Sequence, residues 1–311
     1  MRLRVANPSF FSRQAVFACL ALLLLAAAGE AGAQARRPGD DPTAYLQGKP
    51  DQEHGRKLLD AFRQNGWGLG GAYYLEFELR VLPRRGDERT VPGRMWGRGP
   101  MTRIVLQPGM KDTERRLLLQ VGAESKVWSW PAEANNQPGS GSELGVAALF
   151  RPLAGTDLTA FDLQMPFLYW PDFAYEGVAP VLGNRVANVF LLRPPAAIRA
   201  LRPELSGVRV WLDGPYNVLV KTVQFGGTGE PIKSMEVRDL TTVTVPSGGK
   251  RTDEQRIVKV VDVRDEATRN KTQFVVTGAA LGLELSPALF EPARLAEALS
   301  PPADGVQRVK P

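Results

Sequence analysis

Residues 72–82, AYYLEFELRVL, alternate without a break: Tyr73, Leu75, Phe77, Leu79 and Val81 fall on one side of an extended chain, Tyr74, Glu76, Glu78 and Arg80 on the other. A period of two is what a strand with one buried face requires, and no helix sorts these residues onto two faces. Further strand-length runs follow (TVPGRMWGR, TRIVLQ, RRLLLQV and KVWSW), separated only by the turn clusters PRRGDE, PGMKDTE and GAES. Such short connections leave no room for crossover helices, so neighbours pair antiparallel and the chain up to residue 130 reads as a meander.

The pattern breaks once. After the loop EANNQPGSGSE (133–143) come the helix-like ELGVAALFRPL and then GTDLTAFDLQMPFLYWPD (155–172). This second run concentrates Leu158, Phe161, Leu163, Met165, Phe167, Leu168, Tyr169 and Trp170 between turn residues. Thr156 and Asp157 predict a helix start, and Pro166 and Pro171 limit its length. Two roles fit such a run equally: the plug of an ordinary core, or the lining of a cavity for an apolar ligand. Strands then resume at NRVANVFLLRP, GVRVWLD, NVLVKTVQF, PIKSMEVRDL, TTVTV, QRIVKVVDVRD and KTQFVVTG, with DGPYN (213–217) as a tight hairpin turn and PSGGKRTDE (246–254) as a longer one. Ahead of the first strand, PDQEHGRKLLDAFRQNGWG (50–68) predicts an amphipathic helix through Leu58, Leu59 and Phe62, stopped by Gly66 and Gly68. ARLAEAL (293–299) predicts a short terminal helix. Strands and helices do not alternate, which argues against a doubly wound parallel sheet. The expected class is α+β, one large antiparallel sheet with a helical element in its middle.

At the N-terminus Arg2, Arg4 and Arg13 precede the apolar run AVFACLALLLLAAAG (15–29), and small residues follow in AGAQA (31–35). This is the build of a secretory signal peptide, with cleavage after Ala33 or Ala35, and the run is too short for a lasting transmembrane anchor. The expected organisation is a signal peptide over 1–33, a flexible lead-in over 34–50, a binding domain over 51–299 and a polar tail over 300–311. Cys19, the only cysteine, lies inside the apolar run and not at its end, so it is a filler removed with the leader and not a lipid-attachment residue. A mature chain without cysteine has no disulfide, thiol nucleophile or thiolate metal ligand. Removing residues 1–35 takes away Arg2, Arg4, Arg13 and Glu30 and leaves a net charge of +4, too mild for a nucleic-acid partner.

Catalytic signatures are missing as well. His54, the single histidine, sits in the first turns of the leading helix, where a solvated helix-end role is the ordinary one, and one histidine without cysteine does not make a zinc site. GGTGEPIKS (226–234) has Ile232 where a phosphate loop needs glycine and is followed by a strand; GWGLGG (66–71) follows a helix and opens a strand, the reverse of a dinucleotide loop. The carboxylates Asp157, Asp162, Asp172 and Glu176 could pair for glycoside hydrolysis, but Asp157 and Asp162 are as well explained as helix-start acids. The expectation is a binding protein, not an enzyme, with no cofactor and no metal.

The order of these elements, with G-T-D-L-x-x-x-D-L in the centre (Gly155, Thr156, Asp157, Leu158, Asp162, Leu163), YEGVAPVLGNRVANVFLLRP, VRVWLD, VKTVQF, GEPIKSMEVRDL and the closing LSPALFEPARLAEAL (Leu285, Ser286, Phe290, Pro292, Leu295), resembles the outer-membrane lipoprotein-sorting protein family, the LolA-like periplasmic carriers. The resemblance covers roughly residues 70–299 and rests on turn and core patterns. It implies a strongly curved antiparallel sheet, an unclosed half-barrel, with helices covering the concave face. It implies a periplasmic, non-enzymatic carrier of acylated lipoproteins or lipids, sorting them toward the outer membrane. Its partners would be the acyl chains themselves, an inner-membrane releasing or exporting complex and an outer-membrane acceptor. The alternative on the same fold is a regulatory or accessory protein, a lipoprotein sensor or the partner of a membrane exporter. On the carrier reading, Leu75, Phe77 and Leu79 line the sheet and Phe161, Met165 and Phe167 line the lid.

Overall fold

The computed structural model describes residues 50–65, 71–131, 141–181, 185–213, 218–246 and 252–310, all within the compact unit Pro42–Pro311. The expected signal peptide and the lead-in up to residue 49 lie outside the described residues, as do the expected hairpin tips at 214–217 and 247–251. Helix α1 (Gln52–Asn65) precedes a first meander of β1 (Ala72–Leu82), β2 (Arg89–Arg98), β3 (Met101–Leu106), β4 (Arg115–Gln120), β5 (Lys126–Trp130) and β6 (Ser142–Glu143). A central segment follows with α2 (Val146–Leu149), α3 (Ala160–Gln164) and a 3-10 turn at Pro166–Tyr169. The second meander runs through β7 (Phe173–Val181), β8 (Arg185–Leu192), helix α4 (Ala196–Leu201), β9 (Gly207–Asp213), β10 (Val218–Phe225), β11 (Pro231–Pro246), β12 (Thr252–Asp265) and β13 (Lys271–Leu283). Two 3-10 turns, Pro287–Phe290 and Pro292–Arg294, and the short β14 (Gln307–Arg308) complete it.

Among the described residues these strands form a single open sheet in the order β6-β5-β4-β3-β2-β1-β13-β12-β11-β10-β9-β8-β7, with β14 beside β13. Every pairing is antiparallel, and the meanders meet where β1 lies against β13, with Phe77 opposite Val276 and Leu79 opposite Phe274. The central segment therefore leaves one edge of the sheet and re-enters at the other. Flat, thirteen strands would measure roughly 58 Å across. Curling brings the edges within reach of one short segment, and register shifts in β1/β13 (Glu76/Phe77), β11/β12 (Val237 to Leu240) and β7/β8 (Tyr175/Gly177) supply local bends.

Both faces are covered. On the front face, Phe77, Leu79, Ile104, Leu117 and Val263 pack with Leu158 and Ala160 of the central segment, while Phe190, Leu192, Val208 and Val210 pack with Phe161, Phe167 and Trp170 and with Leu59 and Phe62 of α1. Leu149 and Met165 touch both clusters. On the back face Tyr74, Trp96, Val105 and Leu118 are covered by Phe290 and Leu295 of the C-terminal segment.

Two helix expectations are corrected. The helix start read at Thr156 and Asp157 falls instead at Thr159, whose hydroxyl accepts from the Asp162 N–H while the Asp162 carboxylate accepts from the Thr159 N–H, a complete capping box. Thr156 makes a local turn, its hydroxyl donating to the Leu153 carbonyl and accepting from the Leu158 N–H. The terminal helix expected over 293–299 is replaced by the proline-started 3-10 turn Pro292–Arg294 and irregular chain; the Leu295 carbonyl, which a helix would pair with the N–H of residue 299, accepts from Arg103 and Arg116 instead, and the carbonyls of Ala296 and Glu297 accept from the same arginines. The expected polar tail carries β14, held by an ion pair from Arg308 to Glu76 and by the Gln307 side chain, which pairs with the peptide of Thr244 in β11.

Gln52 repeats that device at the free edge, its amide pairing with the N–H and carbonyl of Tyr175 in β7 at 2.9 and 2.8 Å. A side-chain amide thereby occupies an edge peptide that could otherwise recruit another strand. Close approach of α1 to β7 depends on Gly55: a β-carbon there would lie 2.3 Å from Cβ of Tyr175, an atom that cannot rotate away. Gly55→Ala gains about 1 kcal/mol of helix propensity but forces α1 off the sheet. The expected net loss is about 1–2 kcal/mol in urea unfolding, and a stabilised variant would refute this packing.

Candidate functional site

The front face is not packed throughout. Beside the cluster of Phe77, Leu79, Ile104 and Val263 lies a cavity of about 620 Å³, lined from β4 through β3, β2, β1, β13, β12 and β11 to β10 and bounded on its other side by the central segment. Eight consecutive strands bordering one small space show how far the sheet wraps. Its walls are largely aliphatic: Leu75, Ile104, Leu119, Met235, Val237, Ile257, Val263 and Val276 from the strands, and Leu158, Leu163 and Met165 from the central segment. Tyr73 and Thr102 contribute hydroxyls 3.4 Å apart. The lining residues exposed to solvent are Glu254 and Arg256 of β12, which places the mouth beside the outer part of that strand.

Glycines shape the floor. The rings of Tyr73 and Phe77 lie directly over Gly97 and Gly93 of β2, where any β-carbon would collide with them, and Phe77 stacks on Phe274 at 4.5 Å. Burial drives the Tyr73 hydroxyl pKa upward, so the phenol stays neutral.

The central segment is pinned at several points. Asp157 donates its N–H to the Thr272 hydroxyl in β13 and accepts that hydroxyl's proton on its carboxylate, at 2.9 and 2.8 Å. Gln164 donates to the Gln120 carbonyl in β4 at 3.0 Å, and Arg89 of β2 donates to the carbonyls of Ala154 and Gly155. Asp162 is the busiest anchor: besides its cap to Thr159, the carboxylate accepts from Gln224 of β10 at 2.8 Å and forms an ion pair with Lys233 of β11. Both partners of that pair are largely withdrawn from water, Asp162 to 1% exposure. On the far side, Arg63 of α1 donates to the carbonyls of Leu168 and Trp170 that end the 3-10 turn.

Met165 joins α3 to the 3-10 turn in the left-handed region, φ 52° and ψ 50°. That conformation costs an L side chain roughly 1–2 kcal/mol, offset here by packing against both apolar clusters. Within this segment, residues only a few positions apart face opposite ways. Leu158, Leu163 and Met165 look into the cavity. Phe161, Phe167 and Trp170 look into the core, their rings within about 6.3 Å of one another.

Of the six residues expected to bind an apolar ligand, Leu75 and Met165 line the cavity. Phe77 and Leu79 lie in the packed cluster beside it, and Phe161 and Phe167 are buried in the cluster with α1. Reading the sequence missed the wall made by β10, β11 and β12, although alternation at Met235 and Val237 was available as a signal. Among the described residues no group of three or more His, Cys, Asp or Glu side chains is placed to hold a metal, and no helix is long and apolar enough to cross a membrane.

No family model and no curated protein matches this sequence. Solved structures do. An outer-membrane lipoprotein-sorting protein domain from Vibrio parahaemolyticus aligns over 79% of this chain and 100% of its own, with TM-score 0.61 and 13% identity. A LolA superfamily protein from Nitrosomonas europaea aligns over 76% and 96%, with TM-score 0.52 and 12% identity. The fold is LolA-like. A DUF1329 family protein from Desulfovibrio piger shares it, with TM-score 0.60 and 13% identity over 79% of this chain and all of that one. At such identities the likeness is one of fold.

Proposed function

We propose that this chain is a non-enzymatic carrier or binding protein for acylated lipoproteins or lipids, exported to the periplasm, receiving its cargo from an inner-membrane complex and passing it toward the outer membrane. The observation that carries this reading is the aliphatic cavity of about 620 Å³ enclosed by a LolA-like sheet and its pinned central segment. Apolar cavities of this size favour apolar ligands over water. Each buried methylene contributes about 0.8 kcal/mol, so a chain of about 16 carbons could gain on the order of 13 kcal/mol before costs. Leu75 and Met165 would touch the chain, Phe77 and Leu79 would back the floor, and Phe161 and Phe167 would hold the lid in place from behind. The one fully buried carboxylate on the lining, Asp162, is committed to Thr159, Gln224 and Lys233, which supports binding over acid-base chemistry.

The test is equilibrium binding of a fluorescent fatty acid to delipidated protein, comparing wild type with Leu163→Trp and Val261→Trp. Both positions line the cavity and are only partly buried, so a larger side chain has room to enter it. Affinity is expected to fall at least tenfold in each variant with the urea midpoint little changed. Wild-type protein that takes up no acyl probe would refute the proposal, and so would undiminished binding by both folded variants.

A further inference from the structure

We infer that the hydroxyls of Tyr73 and Thr102 form a hydrogen-bonding site in the cavity wall for the carbonyl oxygen at the head of an acyl chain. The ligand is then an acyl ester or amide held in one orientation, not any hydrocarbon that fits. This rests on the carrier reading above and names the group by which the cavity would recognise its cargo.

The site is built across three strands. Gly97 of β2 lies opposite Tyr73 of β1 on one side and opposite Thr102 of β3 on the other. With no side chain at 97, the Tyr73 ring crosses β2 and brings its hydroxyl to Thr102; a β-carbon there would lie 2.1 Å from the ring's Cζ and 2.4 Å from the hydroxyl oxygen. Glycine inside a strand ordinarily weakens it and marks a close approach. Here the approach is that of a phenol. The two hydroxyl oxygens are 3.4 Å apart, beyond the roughly 2.5–3.0 Å of a well-formed O–H···O bond. Among the described residues the other contact of the Tyr73 hydroxyl is Sδ of Met95 at 3.9 Å, and a thioether is a weak acceptor. Two hydroxyls carry two protons, and a bond between them uses one, so an O–H remains to donate within aliphatic walls. Burial keeps the phenol protonated. A carbonyl oxygen satisfies that donor, whereas a hydrocarbon covers it and leaves it unpaired, the costly state.

Position sets the direction of the chain. Tyr73 packs on the apolar cluster containing Ile257, the neighbour of Arg256 at the mouth. The roof is pinned to Thr272, which lies opposite Val81 near the other end of β1. A head held at Tyr73 therefore stays near water, and its chain runs past Leu75 toward Leu158 and Leu163.

The deciding experiment loads the delipidated protein, wild type and the double variant Tyr73→Phe with Thr102→Val, with methyl palmitate, N-methylpalmitamide or an alkane of equal length delivered from cyclodextrin. Both substitutions remove a hydroxyl with little change of shape, and urea midpoints check that the fold is kept. Affinity for the ester, the amide or both is expected to fall about three- to tenfold in the double variant, the worth of one neutral hydrogen bond, while alkane affinity holds or rises. The carbonyl probe with the larger loss identifies the linkage. Infrared spectra of an isotope-labelled carbonyl give a second readout: the stretch, lowered by hydrogen bonding in the wild type, should return to its unbonded frequency in the double variant. Losses no larger for the carbonyl probes than for the alkane, or a stretch that the substitutions leave unmoved, would overturn the hydroxyl site while leaving the carrier reading intact. Wild-type protein that takes up none of the three probes would overturn both.

Discussion

Replacing Arg103 with alanine is expected to cost about 3–5 kcal/mol and to release the C-terminal segment from the back of the sheet. Arg103 is 1% exposed, and its guanidinium donates to the carbonyls of Leu289 at 3.0 Å, Leu295 at 3.1 Å and Glu297. None of these acceptors belongs to a helix that could satisfy it otherwise, since the segment runs in 3-10 turns. A buried acceptor left unpaired costs roughly 1–3 kcal/mol. Leu289 and Glu297 lose their donor while Leu295 keeps Arg116, and these two losses together with the space left by the buried side chain outweigh what is recovered by no longer burying a cation. That recovery is real: burial, reinforced by the neighbouring Arg116 cation, pulls the Arg103 pKa down to about 10. Arg116 limits the damage by holding Leu295 and Ala296 from the other side, packed over Trp130 at 4.4 Å. Urea unfolding measures the loss, and amide hydrogen exchange over residues 286–299 is expected to quicken ahead of the sheet. A variant with the wild-type midpoint and unchanged exchange would show that Phe290 and Leu295 alone hold the segment. The same experiment on Arg103→Lys separates charge from geometry: lysine keeps the cation but cannot reach three divergent carbonyls with one ammonium, so most of the loss should remain.

Where one side chain decides one face, the structure was legible in the sequence. Tyr73 to Val81 alternate, and the front face of β1 is where they lie. The amphipathic α1 is present, and the interruption by a helical segment between two antiparallel meanders is present at residues 146–169. What stayed hidden required knowing which distant residues meet. Asp162 looks like any helix-start acid until Gln224 and Lys233, 62 and 71 residues away, arrive beside it. Arg103 sits in TRIVLQ as one arginine among many, and only the covering of the back face by Phe290 and Leu295 makes it a buried one. The aromatic run 158–170 could be plug or lining on composition; the two faces of α3 divide its first half, Leu163 lining the cavity and Phe161 the core, and beyond the left-handed turn at Met165 the residues Phe167, Leu168 and Trp170 all enter the core. No periodicity argument could place that turn, because methionine has no preference for it. The terminal helix failed for a related reason: local propensity in ARLAEAL favours a helix, and distant arginines take the carbonyls first.

Asp162→Ala is expected to be the most damaging single change on the cavity side, at about 4–6 kcal/mol. It removes the acid of the capping box, worth about 1 kcal/mol, and leaves the Lys233 ammonium buried without a counter-charge, worth a further 3–5 kcal/mol. Gln224, 6% exposed, loses its acceptor at the same time. The consequence reaches the cavity because Asp162 itself lines it and fastens the roof to β10 and β11. Once this bond is gone, the roof is still held by Asp157 at β13 and Gln164 at β4, so the segment should hinge away from one wall instead of detaching. A double-mutant cycle separates the pair from its setting. Lys233→Met alone leaves the carboxylate its bonds to Thr159 and Gln224 and should cost less than Asp162→Ala. Asp162→Ala with Lys233→Met leaves no buried charge without its partner and should recover at least half of the Asp162→Ala loss, since removing both members of a buried pair costs less than removing one. Additive losses in the cycle, or a double variant no more stable than Asp162→Ala, would mean that the two charges act independently and that the roof is held by its remaining anchors. If the pair is coupled as the geometry requires, then on the carrier reading proposed above acyl-chain affinity should fall in Asp162→Ala and return in the double variant, because the same contact fixes the roof and the volume beneath it.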